Sequence, residues 1–288
     1  MTYRITGAAI ALAVVALAIV GCNNSRPADP PANMSVVAEL RKSAEGAGAG
    51  PAAAAVSTGT GWGTIKGKFL FDGAAPAPPK LDINKDVEVC GKHNLVDESL
   101  VVGSTGGLAN VAIFVRSKSR VHPEMQSAAT NKVLYDNKGC RFEPHVLAIA
   151  LTQTLVLKNS DPVGHNSNCS PVGDAAINPL IPSGGEFEHK FGKAQLEGVS
   201  VTCNIHPWMK GYIFPRDNPY FAVTKDDGTF EIKNVPAGEE VEFQIWHERA
   251  PKGLEFSPEW ARGRKKLTIP ADGVLDLGDL KVASSTLK

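Results

Sequence analysis

The 288-residue chain is predicted to be all-β, on three observations. Short runs alternate apolar and polar residues, the period of a strand with one buried face. Turn formers separate those runs, with 28 Gly and 20 Pro in the chain. Few helical periods intervene beyond the N-terminal region, which points to sandwiches or Greek-key barrels rather than a parallel sheet with crossover helices. The length admits two small domains, or one large one, with adequate cores.

The first element is a targeting segment. Arg4 precedes an apolar run from Ile5 to Val20, and the run ends at Gly21-Cys22. It is short for a spanning helix. The small residue before Cys22 resembles the lipobox of bacterial lipoproteins. That resemblance implies cleavage before Cys22, diacylation of Cys22 and a chain held at a membrane in the cell envelope, periplasmic or on the outer surface. A plain secretory signal with a chance Cys and an uncleaved anchor are the alternatives. Residues 1–21 are thus read as signal peptide and 22–61 as a tether. The stretch Glu45-Gly-Ala-Gly-Ala-Gly-Pro-Ala-Ala-Ala-Ala offers too little side chain to offset the entropy of ordering. A short helix near Met34–Ser43 has no evident partner.

From Trp62 the pattern changes. Gly63-Thr-Ile-Lys-Gly-Lys-Phe-Leu-Phe alternates as a strand, and Asp72-Gly73 turns into a Pro-rich loop reaching Pro79. Further strands are predicted at Leu108–Arg116, Val133–Tyr135, Val146–Leu151 and Thr154–Lys158. Residues 62–215 are assigned to one sandwich and 216–288 to a second, smaller one. In the second, Tyr220–Thr224 and Thr229–Lys233 flank Asp227-Gly228, a hairpin signal. Val235-Pro-Ala-Gly turns again, and Val241, Phe243 and Ile245 alternate with Glu240, Glu242 and Gln244. Leu267-Thr-Ile and Leu275–Val282 would close the sheet. The run Asp227-Gly-Thr-Phe-Glu-Ile-Lys-Asn-Val-Pro-Ala-Gly-Glu resembles the carboxypeptidase regulatory-like, transthyretin-like modules, which implies an accessory β-sandwich.

The chemistry concentrates in Cys203-Asn204-Ile205-His206-Pro207-Trp208-Met209, a thiol, an imidazole and a thioether in one short loop. A second imidazole lies upstream in Asn159-Ser160-Asp161-Pro162-Val163-Gly164-His165-Asn166. Two His, one Cys and a weak Met are the donor set of a blue-copper centre, because sulfur favours Cu(I) and imidazole suits both oxidation states. Zinc more often takes closed Cys/His sets, and no Cys-x2-Cys pair occurs.

This loop resembles that of the cupredoxins, the plastocyanin/amicyanin-like blue copper proteins. Lys210-Gly-Tyr-Ile resembles the strand leaving the site, and Leu155-Val-Leu-Lys-Asn with His165-Asn166 resembles the strand and loop that supply the first His. Cys203 follows His165 by 38 positions, which fits the family. The match covers about Ala148 to Phe214. It implies a Greek-key cupredoxin sandwich for 62–215 and one type 1 copper ion. The implied ligands are His165, Cys203 and His206, with Met209 as a long axial contact and Asn166 pinning the two ligand loops together. Taken with the lipobox at Cys22, it further implies a lipid-anchored carrier of single electrons rather than an enzyme. In the family the imidazole of the Cys loop reaches the surface, so a redox protein would dock transiently near His206. A non-redox envelope protein that binds carbohydrate or protein, and a copper delivery protein, are the alternative readings.

Other residues restrict the function less sharply. Thirty basic and thirty acidic side chains cancel, so nothing argues for nucleic acid as a partner. No nucleophile elbow, phosphate-cradling loop or two-His zinc helix occurs. With Cys22 acylated and Cys203 on metal, Cys90 and Cys140 are expected to form a disulfide, since both sit where strands meet turns. Connectivity does not follow from sequence. Cys169 is either a buried free thiol or a competitor for that bond. His145 either approaches the metal or is satisfied by backbone at a sheet edge. Trp246-His247-Glu248 is expected at the surface.

Overall fold

The computed structural model describes residues 59–117, 119–128 and 130–287. The signal peptide, the proposed lipidation site Cys22, the Met34–Ser43 helix and the tether to residue 58 lie outside them. No helix among the described residues is long and apolar enough to cross a membrane.

The all-β class predicted from sequence is the one observed. The strands are β1 Trp62–Asp72, β2 Ala112–Val115, β3 Lys132–Asn137, β4 Phe142–Glu143, β5 Val146–Ala150, β6 Thr154–Asn159, β7 His165–Asn166, β8 Asn168–Cys169 and β9 Leu180–Ile181. They continue with β10 Glu186–His189, β11 Val199–Thr202, β12 Lys210–Arg216, β13 Phe221–Val223, β14 Thr229–Pro236, β15 Glu240–Trp246, β16 Arg264–Thr268 and β17 Val274–Ala283.

Four sheets make two sandwiches. In one, the sheet β14-β1-β17 faces β13-β2-β15-β16; in the other, β10-β6-β3-β4 faces β5-β12-β11-β8. Each encloses its own apolar core. Ile65, Phe69, Ile113, Val115, Phe243 and Ile245 lie in the first core. Tyr135, Phe142, Leu155, Leu157, Val201 and Ile213 lie in the second.

The sandwiches also pack on each other, and strand alternation shows how. Along β2, Ile113 and Val115 point into the first core while Ala112 and Phe114 point outward. Along β12, Ile213 points into the second core while Tyr212 and Phe214 point outward. The outward residues meet around Trp246, whose ring lies 4.9 Å from that of Tyr212 and 4.7 Å from that of Phe214. A strand covered on both faces loses its polar alternation, which is why β2 reads Ala-Ile-Phe-Val.

The sheets do not follow the sequence division at 215/216. β1 and β2, expected in the first sandwich, pair with strands of the last segment: β1 with β14 and β17, β2 with β13 and β15. The whole second sandwich, β3 to β12, is thus inserted between two neighbouring strands of the first. Its exit and return are tied together. Val115 O accepts from Arg216 Nη2 at 3.0 Å and from Asn218 Nδ2 at 3.2 Å. Arg216 is buried, which pulls its pKa down to about 10.

Asp227-Gly228 does form a turn, with Gly228 N–H donating to Lys225 O at 2.8 Å. The flanking strands are not a hairpin, however. β13 joins β2 and β14 joins β1, so the turn carries the chain from one sheet to the other. Gly228 has φ +79° and a Cβ there would sit 2.1 Å from Phe69 O. Only glycine combines that backbone with so close an approach. Trp246, His247 and Glu248, expected at the surface, all have buried side chains, and Trp246 and Glu248 lie against the other sandwich. Burial drops the His247 pKa to about 4.

Because Trp246 bridges the two sandwiches, Trp246→Ala is expected to cost about 3–5 kcal/mol, read as a lower denaturant midpoint. A loss under 1 kcal/mol would show that this interface contributes little.

Candidate metal centre

β11 and β12 are antiparallel neighbours paired Thr202↔Lys210, so the seven residues 203–209 close their loop. Met209 N–H donates to His206 O at 2.9 Å and Cys203 N–H to Met209 O at 3.3 Å, which folds the loop back on itself. His165 is carried in by β7, held to β9 through His165↔Ile181. Asn166, next on that strand, joins the two segments. Its Oδ1 accepts from Asn204 N–H at 2.8 Å and lies 3.4 Å from Cys203 Sγ.

Three donor atoms converge. His165 Nδ1 and His206 Nδ1 are 2.9 Å apart, and Cys203 Sγ lies 3.7 Å from His206 Nδ1 and 4.0 Å from His165 Nδ1. Both imidazoles are 0% exposed and Cys203 is 2% exposed. Separations of this size suit one central ion at bonds of about 2.0–2.3 Å. Met209 is buried in the same apolar cluster as Cys203.

The outer ring nitrogens are also occupied. His165 Nε2 meets Asp161 Oδ2 at 2.9 Å, and His206 Nε2 meets Asp86 Oδ2 at 2.7 Å. An ionised carboxylate only accepts, so each Nε2 carries a hydrogen and each Nδ1 is the nitrogen directed at the centre. A carboxylate behind a ligating imidazole is the usual support of a metal site. Asp161 is fixed in turn by the N–H groups of Gly139 and Cys140, at 2.6 and 2.8 Å. Cys140, Asp161 and His165 also cluster closely enough to hold a metal. Cys140 is disulfide-bonded to Cys90, however, which removes its thiolate and leaves Asp161 as a hydrogen-bond partner.

Without metal the donors must share protons. Burial disfavours charge on His165, but the hydrogen bonds to Asp161 and to Cys203 outweigh it and lift the imidazole to about 9. Burial likewise opposes the Cys203 thiolate. Its bond to His165 and the backbone N–H groups of Asn166, His206 and Ile205 outweigh that and bring it to about 6. The centre is therefore built for a buried anion beside a cation, the electrostatics a metal ion would satisfy.

Several expectations meet the structure differently. His206, expected at the surface, is fully buried beneath Asp86. Trp208 donates Nε1–H to Cys140 O at 3.1 Å and packs 5.1 Å from the His206 ring. Cys90 lies in a one-turn helix, Val87–Cys90, not at a strand end. Cys169 is a buried free thiol, raised by burial to about 12. His145 stays out of the centre and bonds Glu248 through Nε2 at 2.6 Å. Asp161 and Asp86 were not singled out from sequence. Asp161 stands four residues before His165. Asp86 lies 120 positions from its imidazole, in a segment with no motif.

No protein-family model matches the chain, and no curated protein matches it. Among solved structures, a Cu-containing nitrite reductase from Thermus scotoductus SA-01 is 26% identical over 30% of this chain, with TM-score 0.27. The chain spans 22% of that reductase's length. A purple cupredoxin from Nitrosopumilus maritimus is 25% identical over 29% of this chain and 99% of its own, with TM-score 0.25. An amicyanin variant in its reduced Cu(I) form at pH 4 is 20% identical over 36% of this chain and 98% of its own, with TM-score 0.27. At these TM-scores the likenesses carry no weight for what this chain does.

The pair of His165 and Cys203 holds about one proton between pH 6 and 9, and two below pH 6. A metal must displace them. Binding of Zn(II), a redox-silent probe, is thus expected to release about one proton at pH 7. Its affinity should fall about tenfold per pH unit between pH 9 and 6, and more steeply below. Titration calorimetry in buffers of different ionisation heat measures this. Binding without proton release would contradict the assigned donors.

Proposed function

We propose that this chain is a type 1 copper protein that carries single electrons in the cell envelope, tethered to a membrane by a lipid on Cys22. One observation carries the reading: buried His165 Nδ1, His206 Nδ1 and Cys203 Sγ all lie within 4.0 Å of one another. Bound copper would supply a one-electron Cu(II)/Cu(I) couple. His165, Cys203 and His206 would hold it, with Met209 as a further, weaker sulfur donor. Thiolate and imidazole together suit both oxidation states, and the donor set argues against calcium or magnesium.

The residues around the donors restrict movement. Asn166 ties the two ligand segments, while Asp161 and Asp86 fix both rings. A centre that cannot rearrange exchanges electrons with little reorganisation. Burial keeps water and substrates from the donors, the Cys203 thiolate included, which favours a carrier over an enzyme. A redox protein would dock transiently over the loop containing His206, meeting Asp86 and the half-exposed Ile205 rather than the imidazole itself. Burial of all three donors disfavours rapid hand-over of the ion, as delivery would need.

Cupric ion added to the purified chain is expected to produce an intense visible absorption from the thiolate-to-copper transition. Cys203→Ser should abolish it. A copper-replete but colourless wild-type protein would end the carrier reading. Rapid loss of copper to a chelator would favour delivery instead.

A further inference from the structure

The segment 80–99 folds over the His206 edge of the centre, and neither sandwich sheet includes it. Its ends are tied by Leu81 N–H to Leu95 O at 3.1 Å and by Asp97 N–H to Pro79 O at 2.8 Å. Within it Asp86 has φ 43°, a left-handed conformation, and opens the helix Val87–Cys90. Asp86 O accepts from Val89 N–H at 2.9 Å and from Cys90 N–H at 2.8 Å. Cys90 is bonded to Cys140, whose N–H donates to Asp161, the partner of His165. Cys140 O in turn receives Trp208 Nε1–H. Leu81, Ile83, Val89, Leu95, Val163 and Trp208 pack around the disulfide.

We infer that Asp86 is a positioning residue of the metal centre: its carboxylate holds His206 through Nε2, and the disulfide-tied segment 80–99 exists to deliver it. This rests on the copper reading above. The observations behind it are geometric. The imidazole is wholly buried, yet its outer nitrogen meets a carboxylate that is itself 42% exposed. Nothing local to the ligand loop supplies that partner. The chain bends into a left-handed residue to place it, and a covalent bond secures the bend. The two rings thus receive unlike support, His165 from a buried carboxylate and His206 from one facing solvent. A negative charge on the ring's N–H increases donation from Nδ1 and favours the more positive oxidation state of a bound ion.

The test compares full-length wild type with Asp86→Asn and Glu88→Gln. Asn tolerates the left-handed backbone, so the first change removes charge and keeps shape. Glu88 is an exposed carboxylate of the same helix turn, with no bond to a ligand ring in the structure. Each copper-loaded protein is examined for visible spectrum and reduction potential. Each metal-free protein is examined by NMR for the His206 Nε2–H resonance. Asp86→Asn is expected to shift the Cu(II)/Cu(I) equilibrium about tenfold toward Cu(I), a rise of about 59 mV for one electron. Its Nε2–H resonance should move upfield in the metal-free chain. Glu88→Gln should change neither. Equal shifts in both variants would mean charge acts through space and would overturn the positioning role. An Asp86→Asn protein matching wild type in potential and resonance would overturn it too. If wild type takes up no copper, the carrier reading fails. The metal-free resonance then still decides whether Asp86 holds His206, and an unchanged resonance overturns the inference on its own.

Discussion

One closed circuit governs the centre. His165 bonds Asp161, Asp161 bonds the backbone at Cys140, Cys140 is joined to Cys90, Cys90 caps back onto Asp86, and Asp86 bonds His206. The two imidazoles that face each other are therefore fixed from behind by carboxylates that share one disulfide. Two neutral imidazole lone pairs 2.9 Å apart repel unless a proton or a cation lies between them. Below about pH 9 the protonated His165 supplies one, and the circuit holds both rings in place. A disulfide spanning 50 residues removes about 4 kcal/mol of chain entropy from the unfolded state by the loop-closure model. That is ample to hold a segment with no sheet of its own.

The two sandwiches divide the work. The second holds the donors, at the end where β11 stops and β12 and β7 begin. The first sandwich carries none, but its sheet β13-β2-β15-β16 covers the outer face of the sheet that ends in the ligand loop. Trp246 fills that contact, and Arg216 and Asn218 bind the strand from which the second sandwich departs. The first sandwich thus buttresses β12, the strand that directly follows Met209.

The covered imidazole changes what a partner would meet. A resemblance in the ligand loop implies a ring open to solvent, but that property belongs to what surrounds the loop. Here segment 80–99 surrounds it, so the surface over His206 presents a carboxylate instead of a ring edge. The proposed carrier would accordingly be selective by charge and hydrogen bonding at Asp86, as well as by apolar contact at Ile205.

The sequence by itself determined the all-β class, several of the strands and the pairing of Cys203 with His206 in one loop, because these are local; His165, 38 positions upstream, was joined to them only by resemblance. Alternation marks a strand wherever it pairs, and a Cys-x2-His loop holds two donors whatever lies beyond it. It also marked Asn166 beside His165. What it left open was long-range. Strand β1 alternates equally well for either sandwich, and only its pairing with β14 and β17 assigns it. Asp227-Gly228 specifies a turn, but the sheet that receives the next strand is set by Phe69 and Gly107 lying against Gly228. Glu248 carries a charged side chain, so the sequence placed it outside; the contact between sandwiches buries it against His145. Asp86 reaches His206 across 120 positions through a disulfide, and no pattern of neighbours encodes such a meeting. Tertiary structure alone decided it, because hydrogen bonds and covalent links between distant segments depend on where the chain returns, not on what stands beside each residue.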